Sequence, residues 1–448
     1  IFVCLRGEHV DGHNFAEDAV NKGAVAIMCE TKLELDVPQI IVASTEQSIA
    51  PLANAFYKSP SKDLNMIGVT GTNGKTTVTH LIQRIVEANN KECALIGTLG
   101  YKLLSDGEYK EAKHTTPQAP ELQHVLTVIR DEHNIDYVSM EVSSHALVQN
   151  RVGGCQYNCA VFTNLTQDHL DYHVTMDRYF DAKALLFKRL KSGDKAIINV
   201  DDKYAQRFID TLAEGVKLYT YGIKQDADFK AENISFSPTG ASFECITPDG
   251  KYDIKLSMNG MFSIYNVLAA LTTAYAYGFD LNKSIKALEP LKGVAGRFEI
   301  VVHHPLVIVD YAHTPDGLKN VLNAAREITP KDANLICVFG CGGDRDATKR
   351  PKMGAIAEEL ADKVIVTSDN PRSEDPQQII TDILAGFKSV NDVVVESDRG
   401  KAIEYIKDIA KENDVVVIAG KGHEDYQILN DKTIHFDDRE EARKVFSV

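Results

Sequence analysis

Short runs of apolar residues alternate along most of the chain with turn residues and amphipathic stretches. Runs such as Met66–Val69, Tyr137–Val142 and Val415–Ala419 are bounded by glycine, serine or aspartate and are too short to be typical helices. Continuous apolar runs of this length are typical of parallel strands that are buried on both faces. The pattern therefore predicts an α/β fold in which helices cover parallel sheets.

The pattern changes character twice along the chain, which predicts three domains. Residues 1–63 form a small N-terminal α/β unit, and residues 64–296 form a larger parallel-sheet domain in which residues 224–258 alternate like appended antiparallel strands. Residues 297–448 form a second, Rossmann-like series of strands and helices. Because the chain opens on the apolar run Ile1–Leu5, which predicts a strand, and has no initiator Met, we also expect that a preceding segment of the N-terminal unit is missing.

Composition narrows the class of protein. The chain has 448 residues, of which 44% are hydrophobic and 25% charged, so it can bury a core in each domain and is not a disordered chain. A net charge of −15 argues against non-specific binding to nucleic acid or to an anionic membrane. No apolar run approaches the roughly 20 residues that span a bilayer, and the eight cysteines are scattered singly. We therefore expect a soluble cytoplasmic protein from a reducing compartment.

A glycine-rich loop follows the strand that ends at Val69. The sequence from Gly71 to Thr77 reads Gly-Thr-Asn-Gly-Lys-Thr-Thr and opens an amphipathic stretch over Val78–Val86. Glycines let backbone N–H groups approach phosphate oxygens, while a lysine such as Lys75 reaches the outer phosphates and a hydroxyl such as that of Thr76 can bind Mg²⁺. The strict phosphate-loop pattern is missed at Val69, and a tight strand-to-helix turn is the alternative. We favour a nucleotide site.

Two further segments carry possible metal ligands. Glu141 ends an apolar strand, a position where a carboxylate often binds Mg²⁺, although an exposed strand-end acid is the alternative. His169 and His173 are four residues apart with acids between them, which on a helix could mimic a zinc pair. Because no third zinc ligand at a recognisable spacing accompanies them and a phosphate loop is present, we favour a magnesium–phosphate environment over zinc.

Lys183 lies on the apolar face of a predicted helix, since aromatic and aliphatic residues flank it at spacings of three and four. A buried lysine tends toward the neutral amine, which can react with CO₂ to give a carbamate and so become a metal ligand. From the spacing alone, a lysine whose stem is buried and whose ammonium reaches solvent is favoured.

The last third of the chain supplies basic groups in an otherwise acidic protein. Arg345 lies in a glycine-rich loop, Asp369-Asn370-Pro371-Arg372 carries a second arginine, and Gly420–Asp425 adds glycines and acids that include Glu424. Solvated charged loops are the alternative, but arginines that could pair carboxylates and acids that could receive an ammonium together favour a small zwitterionic ligand.

The unusual residues fall at a common position, directly after predicted strands. Ligands of open α/β sheets bind outside the carboxyl ends of strands, so the sequence predicts one site in a cleft between two domains. The segments concerned are Thr70–Thr77, Glu141–His145, Asn164–His173, Asp310–Thr314, Gly340–Arg350, Asp369–Asp375 and Gly420–Tyr426.

Taken together, these motifs resemble the Mur ligase family over nearly the whole chain. The segments that carry the resemblance are Gly71–Thr77, His114-Thr115-Thr116-Pro117, Met140–His145, Asn164–Asp171, Gly296-Arg297-Phe298-Glu299, Asp310–Pro315, Gly340–Arg345, Asp369–Arg372 and Gly420–Asp425.

The resemblance implies an ADP-forming, ATP-dependent amide ligase of peptidoglycan precursor synthesis that works through an acyl phosphate. It implies ATP and two Mg²⁺ ions as cofactors, with Lys75 as a catalytic residue. Thr76 and Glu141 would bind one ion, and His169 and a carbamate on Lys183 the other. It places ATP on Gly71, Thr72, Asn73, Gly74, Lys75, Thr76, Thr77, Asn266, Arg297 and Asp310.

The resemblance also implies two further substrates. UDP-N-acetylmuramoyl-L-alanyl-D-glutamate would lie on His9, His114, Thr115, Thr116, Ser143, Gln149 and Arg151. The incoming amino acid, which we expect to be meso-diaminopimelate, would lie on Arg345, Asp369, Asn370, Pro371, Arg372, Gly420 and Glu424. Arg372 favours diaminopimelate because that amino acid carries a second carboxylate and lysine does not. We expect a monomer.

Several alternatives stay open at this point. The same ligation with L-lysine is the nearest, and a folylpolyglutamate-type ligase shares the domain plan but should lack the Asp-Asn-Pro-Arg and Gly-Lys-Gly-His-Glu loops. A nucleotide-dependent binding module would use the phosphate loop without ligation. An inactive fragment would retain the fold only.

Overall fold

The computed structural model describes residues 1–7, 10–104, 107–110, 112, 114–133, 135–237, 239–430 and 432–446. Three predominantly parallel or mixed sheets follow one another along the chain, and a two-stranded hairpin lies near its end. The α/β architecture predicted from the apolar runs is confirmed. No helix in the described ranges is long and apolar enough to cross a membrane.

The first sheet is small and parallel. Its strands run in the order β1-β2-β3, and Cys4, Ala16, Ile27 and Cys29 form its core. The predicted strand Ile1–Leu5 is shorter in the structure, where only Phe2 and Val3 pair. The elements are β1 (Phe2–Val3), a 3₁₀ turn (Gly12–Phe15), α1 (Ala16–Asn21), β2 (Ile27–Cys29), β3 (Gln39–Ile41), α2 (Thr45–Phe56) and a 3₁₀ turn (Pro60–Asp63).

The second sheet has ten strands in the order β13-β12-β11-β10-β9-β8-β4-β7-β5-β6. Its central strands are parallel, and the antiparallel strands β11 to β13 extend one edge, as the alternation over residues 224–258 predicted. The elements are β4 (Asn65–Thr70), α3 (Lys75–Ala88), β5 (Cys93–Gly97), β6 (Gly100–Lys102), α4 (Ala119–Glu132), β7 (Tyr137–Glu141), α5 (Ser144–Val148), β8 (Cys159–Phe162), α6 (Leu170–His173), α7 (Met176–Phe187), β9 (Lys195–Asn199), α8 (Ala205–Ile209), β10 (Lys217–Gly222), β11 (Phe229–Ser237), β12 (Gly240–Thr247), β13 (Gly250–Leu256), α9 (Met261–Ala276) and α10 (Leu281–Leu288).

The third sheet has six strands in the order β14-β15-β19-β16-β17-β18, of which only β14 is antiparallel to its neighbour. The elements are β14 (Glu299–His303), β15 (Leu306–Asp310), α11 (Pro315–Ile328), β16 (Leu335–Phe339), a 3₁₀ turn (Ala347–Lys349), α12 (Arg350–Leu360), β17 (Lys363–Val366), α13 (Pro376–Leu384), β18 (Val393–Val395), α14 (Arg399–Ile409), β19 (Val415–Ala419), β20 (Tyr426–Leu429), β21 (Lys432–His435) and α15 (Asp438–Phe446).

Both large sheets are buried on their two faces. One apolar cluster packs α3 and α9 against the central sheet and another packs α4 and α7 against its opposite face. The C-terminal sheet has a similar pair of clusters. Because side chains of a strand point alternately to the two faces, a strand such as Val415–Ala419 must be apolar throughout, and all five of its residues are buried. The rigid sheets fix the loops at their carboxyl ends.

Candidate active site

The phosphate loop connects β4 to α3 and needs glycine at two points. Gly71 and Gly74 have φ values of +154° and +86°, in the region that side chains disfavour. A Cβ at Gly71 would lie 1.9 Å from Thr163 Oγ1, and one at Gly74 would lie 2.5 Å from Asn266 Oδ1. The loop is therefore packed closely against Thr163, which follows β8, and against Asn266 on α9. Thr77 lies in the first turn of α3.

Lys75 is folded over this loop. Its Nζ donates hydrogen bonds to the carbonyl oxygens of Gly71, at 3.0 Å, and Thr72, at 2.9 Å. Burial lowers the pKa of Lys75, while the carboxylate of Glu141 acts in the opposite direction. The ammonium of Lys75 is thus held at the N-terminus of α3, where the backbone N–H groups and the helix dipole stabilise bound phosphate oxygens.

Glu141 is fully buried at the end of β7 and gathers hydroxyl groups around its carboxylate. Thr76 Oγ1 donates to Glu141 Oε2 at 3.0 Å, and Thr98 donates through its backbone N–H to Oε1 at 2.9 Å. Arg297 reaches the same place from the C-terminal part of the chain, with its NH2 atom 3.3 Å from Thr76 Oγ1. A carboxylate and a hydroxyl are the oxygen donors that Mg²⁺ prefers, so this donor set fits the predicted ion.

Lys183 is 1% exposed on α7, so its ammonium does not reach solvent as the spacing alone suggested. Its Nζ donates to the carbonyl oxygen of Gly71 at 2.8 Å and lies 4.6 Å from the centre of the Tyr179 ring. Burial lowers the pKa of Lys183 well below its usual value, and the positive charge of Lys75 lowers it further. The environment favours the neutral amine, which is the form that reacts with CO₂.

His169 lies near the same Tyr179 ring, with the two ring centres 6.1 Å apart, and adopts a left-handed conformation with φ +53°. Its Nε2 is 3.2 Å from Asp168 Oδ2, and burial lowers the pKa of His169 to about 3, so the ring is neutral and able to bind a metal. His173 instead bonds Ser144 Oγ through Nε2 at 2.9 Å, so the two histidines do not form a zinc pair. Over the described ranges no group of three or more His, Cys, Asp and Glu side chains could hold a metal.

The C-terminal sheet contributes contacts across the cleft. Asn73 Nδ2 donates to Asp316 Oδ2 at 2.9 Å, and Asp168 Oδ2 lies 3.7 Å from His313 Nε2. Gln167 bonds Asp346 and Thr348, at 3.2 and 3.0 Å, and also contacts Lys352. Asp310 ends β15, where its Oδ2 accepts the backbone N–H of Phe298 at 2.7 Å. The cleft between the two sheets is therefore closed around the phosphate loop.

The residues assigned to the UDP-linked substrate meet on the other side of Glu141. Thr116 Oγ1 donates to the carbonyl oxygen of Glu141 at 2.9 Å and accepts the backbone N–H of Ser143 at 3.1 Å. Arg151 bonds the carbonyl oxygen of Thr116 at 3.1 Å and the side chain of Gln149 at 2.9 Å. Thr115 Oγ1 lies 3.2 Å from Thr98 Oγ1 and His114 is exposed beside it. His9 lies outside the described residues.

The three loops assigned to the amino acid converge at the carboxyl edge of the C-terminal sheet. Arg372 NH1 donates to the carbonyl oxygen of Gly343 at 2.7 Å, which ties the second loop to the first, and Asn370 Nδ2 donates to Glu424 Oε2 at 2.9 Å. Gly420 is required by close approach, because a Cβ there would lie 2.4 Å from Asp369 Oδ2. Arg345 is exposed and bonds only the carbonyl oxygen of Asp344 within the described part of the chain. Pro371 separates Asn370 from Arg372.

Sequence reasoning did not single out four residues that shape this cleft. Asp316 follows the strand-end segment Asp310–Pro315, so an acid next to a motif was a usable signal. Asp168 lies within the segment Asn164–His173, where it was given no role of its own, and nothing in the sequence around Thr98 marks that residue. Lys421 lies within the motif Gly420–Asp425, in which only Gly420 and Glu424 were assigned to a ligand.

Models of the Mur ligase family match most of the chain. The Mur ligase family catalytic domain matches residues 1–58, the Mur ligase middle domain residues 69–274, and the Mur ligase glutamate ligase domain residues 296–422.

The chain is also similar to individual proteins. UDP-N-acetylmuramoyl-L-alanyl-D-glutamate–2,6-diaminopimelate ligase of Halalkalibacterium halodurans is 48% identical over 445 residues, which cover 98% of this chain and 90% of that protein. A solved structure of a ligase with the same name is 36% identical, has a TM-score of 0.69, and is matched over 100% of this chain and 91% of its own. A folylpolyglutamate synthase of Mycobacterium tuberculosis, solved with ADP and AMPPCP, shares the fold at 18% identity, with a TM-score of 0.71 over 90% of this chain and 95% of its own. The chain belongs to the Mur ligase family.

Proposed function

We propose that this protein is an ATP-dependent ligase that joins meso-diaminopimelate to UDP-N-acetylmuramoyl-L-alanyl-D-glutamate in peptidoglycan precursor synthesis. The observation that carries the proposal is the meeting of a phosphate loop, a buried carboxylate and a buried lysine across a cleft from loops that carry Arg372 and Glu424. A relative that is 48% identical and bears the name of this activity supports it.

The reaction consumes ATP as a substrate. An oxygen of the D-glutamyl carboxylate attacks the γ-phosphorus, ADP leaves, and an acyl phosphate remains. The amine of the incoming amino acid then attacks the acyl carbon, the C–O bond to phosphate breaks, and the amine loses a proton as the amide forms. Lys75 stabilises the negative charge that grows on the transferred phosphoryl group, because its ammonium is held at the phosphate loop.

Thr76 and Glu141 are proposed to hold one Mg²⁺ ion, and His169 with carbamylated Lys183 a second. The ions supply positive charge that neutralises the phosphoryl oxygens. The neutral Lys183 amine would form its carbamate by adding through its nitrogen to the carbon of CO₂ with release of one proton, which would convert a buried amine into an anionic oxygen ligand. The low pKa of Lys183 supports this step, because only the neutral amine carries the lone pair that adds to CO₂.

The remaining residues are proposed to position the substrates. Asn266, Arg297 and Asp310 would contact the nucleotide. The UDP-linked substrate would lie on Thr115, Thr116, Ser143, Gln149 and Arg151, and His9 and His114 are also assigned to it.

For the amino acid, Arg372 and Arg345 would pair a carboxylate, and Glu424 and Gly420 would receive an ammonium. Selecting lysine would leave the Arg372 guanidinium without its anion, at a cost of roughly 1–3 kcal/mol.

We also propose three domains, with bounds at 1–63, 64–296 and 297–448. The location that we propose is the cytoplasm. The three sheets fall within those ranges. All eight cysteines are buried and free, which fits a reducing compartment. A monomer stays a prediction.

Phosphate release tests the function. ATP, Mg²⁺ and UDP-N-acetylmuramoyl-L-alanyl-D-glutamate would be combined with meso-diaminopimelate, with L-lysine or with no amino acid, and the nucleotide product analysed by mass spectrometry. We expect release and a UDP-linked tripeptide only with diaminopimelate. Release with lysine alone would keep the ligase and refute the assignment of Arg372, whereas silence throughout would contradict the proposed function.

A further inference from the structure

Lys421 is a buried lysine beneath the loops assigned to the amino acid. It follows β19 at the carboxyl edge of the C-terminal sheet, and its side chain is 0% exposed. An ammonium in such a place must be compensated by charge and by hydrogen bonds, because its burial is otherwise costly. Its partners therefore show what it does.

Among the described residues, the polar partners of the Lys421 ammonium all belong to the proposed amino-acid site. Its Nζ lies 3.1 Å from Asn370 Oδ1, 3.4 Å from Glu424 Oε2 and 3.6 Å from Asp369 Oδ1. The first two contacts are hydrogen bonds, the third is an ion pair, and the buried ammonium is therefore fully engaged by groups of the protein. Lys421 is thus not available to bind a substrate carboxylate itself.

The lysine fixes which way the amide of Asn370 points. Asn370 Oδ1 accepts from Lys421 and also from the backbone N–H of Ile428, at 3.0 Å. Both donors require the oxygen on that side, so the Nδ2 group must face Glu424, where it donates to Oε2 at 2.9 Å. The orientation of Glu424 therefore follows from Lys421 through two routes, one direct and one through Asn370.

Within this group of side chains, one carboxylate oxygen has no hydrogen-bond donor and the carboxylates outnumber the ammonium that pairs them. Both hydrogen bonds of the Glu424 carboxylate go to Oε2, and among the described residues nothing donates to its Oε1. Asp369 and Glu424 carry two negative charges against the single positive charge of Lys421. The nearby guanidinium of Arg399 is already paired with Asp438, at 2.7 Å.

We propose that Lys421 is a positioning residue that holds the carboxylate of Glu424 with its Oε1 atom directed to receive the ammonium of the amino-acid substrate. This inference rests on the proposed function and deepens it. The site would select a substrate that presents an ammonium to Glu424 and a carboxylate to Arg372, a zwitterionic end group of the kind that diaminopimelate has at both ends.

Loss of Lys421 should then make amino-acid binding depend on pH. Burial and the negative charge of Asp369 raise the pKa of Glu424, and the positive charge of Lys421 lowers it. Without Lys421 that pKa rises further, so the KM for the amino acid should fall as pH rises and Glu424 ionises. The charged and titratable groups that face Glu424 are Asp369, Lys421, His313, Arg372, Arg399, Tyr311 and Tyr426.

The test measures KM for meso-diaminopimelate and for ATP across the pH range in which the wild type is active. For Lys421→Met we expect the KM for diaminopimelate to rise about tenfold or more at neutral pH, with the KM for ATP unchanged. In the Glu424→Gln background the same change should add less than about twofold, since the charge through which it acts is gone, and the pH dependence should disappear.

Lys363→Met is the matched control. Lys363 donates one hydrogen bond, to the carbonyl oxygen of Ile409 at 2.9 Å, and lies at the opposite end of the sheet, where β17 begins. Should Lys421→Met not fold, Lys421→Gln removes the charge and keeps a donor, and the same loss is expected.

Each outcome bears on one inference. An unchanged KM for diaminopimelate, or an equal rise in both KM values, would overturn the role of Lys421 while the wild type remained an active ligase. A wild type without amino-acid-dependent phosphate release would instead overturn the proposed function.

Discussion

Replacing Lys183 by Met separates the proposed chemistry of the amine from the packing of its helix. Methionine has a similar length and is apolar, so it can occupy the buried space beside Tyr179. The change removes one hydrogen bond, from Nζ to the carbonyl oxygen of Gly71, which is worth about 1 kcal/mol. It also removes a buried group whose positive charge would lie close to that of Lys75.

The sign of the effect on stability follows from the pKa. In the folded protein the pKa of Lys183 lies well below the usual value of 10.5, to which it returns on unfolding. Between these two values the unfolded chain binds one more proton, so the free energy of unfolding of the wild type rises with pH by up to about 1.4 kcal/mol per unit. The loss of stability that comes from burying the protonated lysine is complete below the folded-state pKa and vanishes above the unfolded-state pKa. Lys183→Met lacks it, so the variant should be at least as stable at neutral pH.

The assay is denaturant unfolding at a series of pH values in CO₂-free buffer, with phosphate release measured separately in buffer that contains bicarbonate. Lys188→Met, an exposed lysine just after the same helix, is the control and should change neither property. We expect Lys183→Met to flatten the pH dependence by about one proton and to lower ligation by about 100-fold or more. With ¹³C-labelled CO₂, a carbamate resonance should appear in the wild type and not in the variant. If Lys183→Met kept the pH slope of the wild type, the neutral state of the buried amine would be refuted. If the variant kept the turnover of the wild type, the role of the amine in ligation would be refuted.

Three further changes test other parts of the site. Lys75→Met should lower acyl-phosphate formation by about 100-fold or more, measured by trapping the acyl phosphate, and formation at the wild-type rate would contradict the phosphate-loop assignment. Arg372→Ala should raise the KM for diaminopimelate about tenfold or more and leave the KM for ATP unchanged; equal effects on both would refute its assignment to the amino acid. Asp316→Ala removes the 2.9 Å bond from Asn73, worth about 1 kcal/mol, and should lower kcat about fivefold. Because Asn164 also holds the Asn73 backbone, the KM for ATP should stay constant, and a large rise in it would show that Asp316 acts on the nucleotide instead.

The local pattern was sufficient for the strands and the phosphate loop. A strand buried on both faces must be apolar at every position, so the strands at Met66–Val69 and Val415–Ala419 can be predicted without tertiary information. The position of Gly71 and Gly74 directly after a strand likewise follows from short-range chemistry, since glycine tolerates their positive φ values. These features depend on residues that are neighbours in the chain, whereas the side chains of Thr163 and Asn266 that exclude a Cβ at the two glycines come from distant segments.

The N-terminal unit was less predictable. The apolar run Ile1–Leu5 contributes only Phe2 and Val3 to the sheet. Strand ends are set by which partner residues are available for pairing, and Phe2 and Val3 pair with Ile27 and Met28 on β2. This pairing cannot be predicted from the residues of the apolar run alone.

The sequence by itself determined the α/β fold, the order of its strands along the chain and the motifs that face the cleft. Tertiary structure alone decided the charge states and partners within that cleft. Lys183 is buried by residues from other elements, Asp316 meets Asn73 across 243 positions, and Lys421 meets Asn370 across 51. The physical reason is that periodicity reports which face of an element is apolar, whereas desolvation and Coulomb interactions depend on distances that only the folded chain sets.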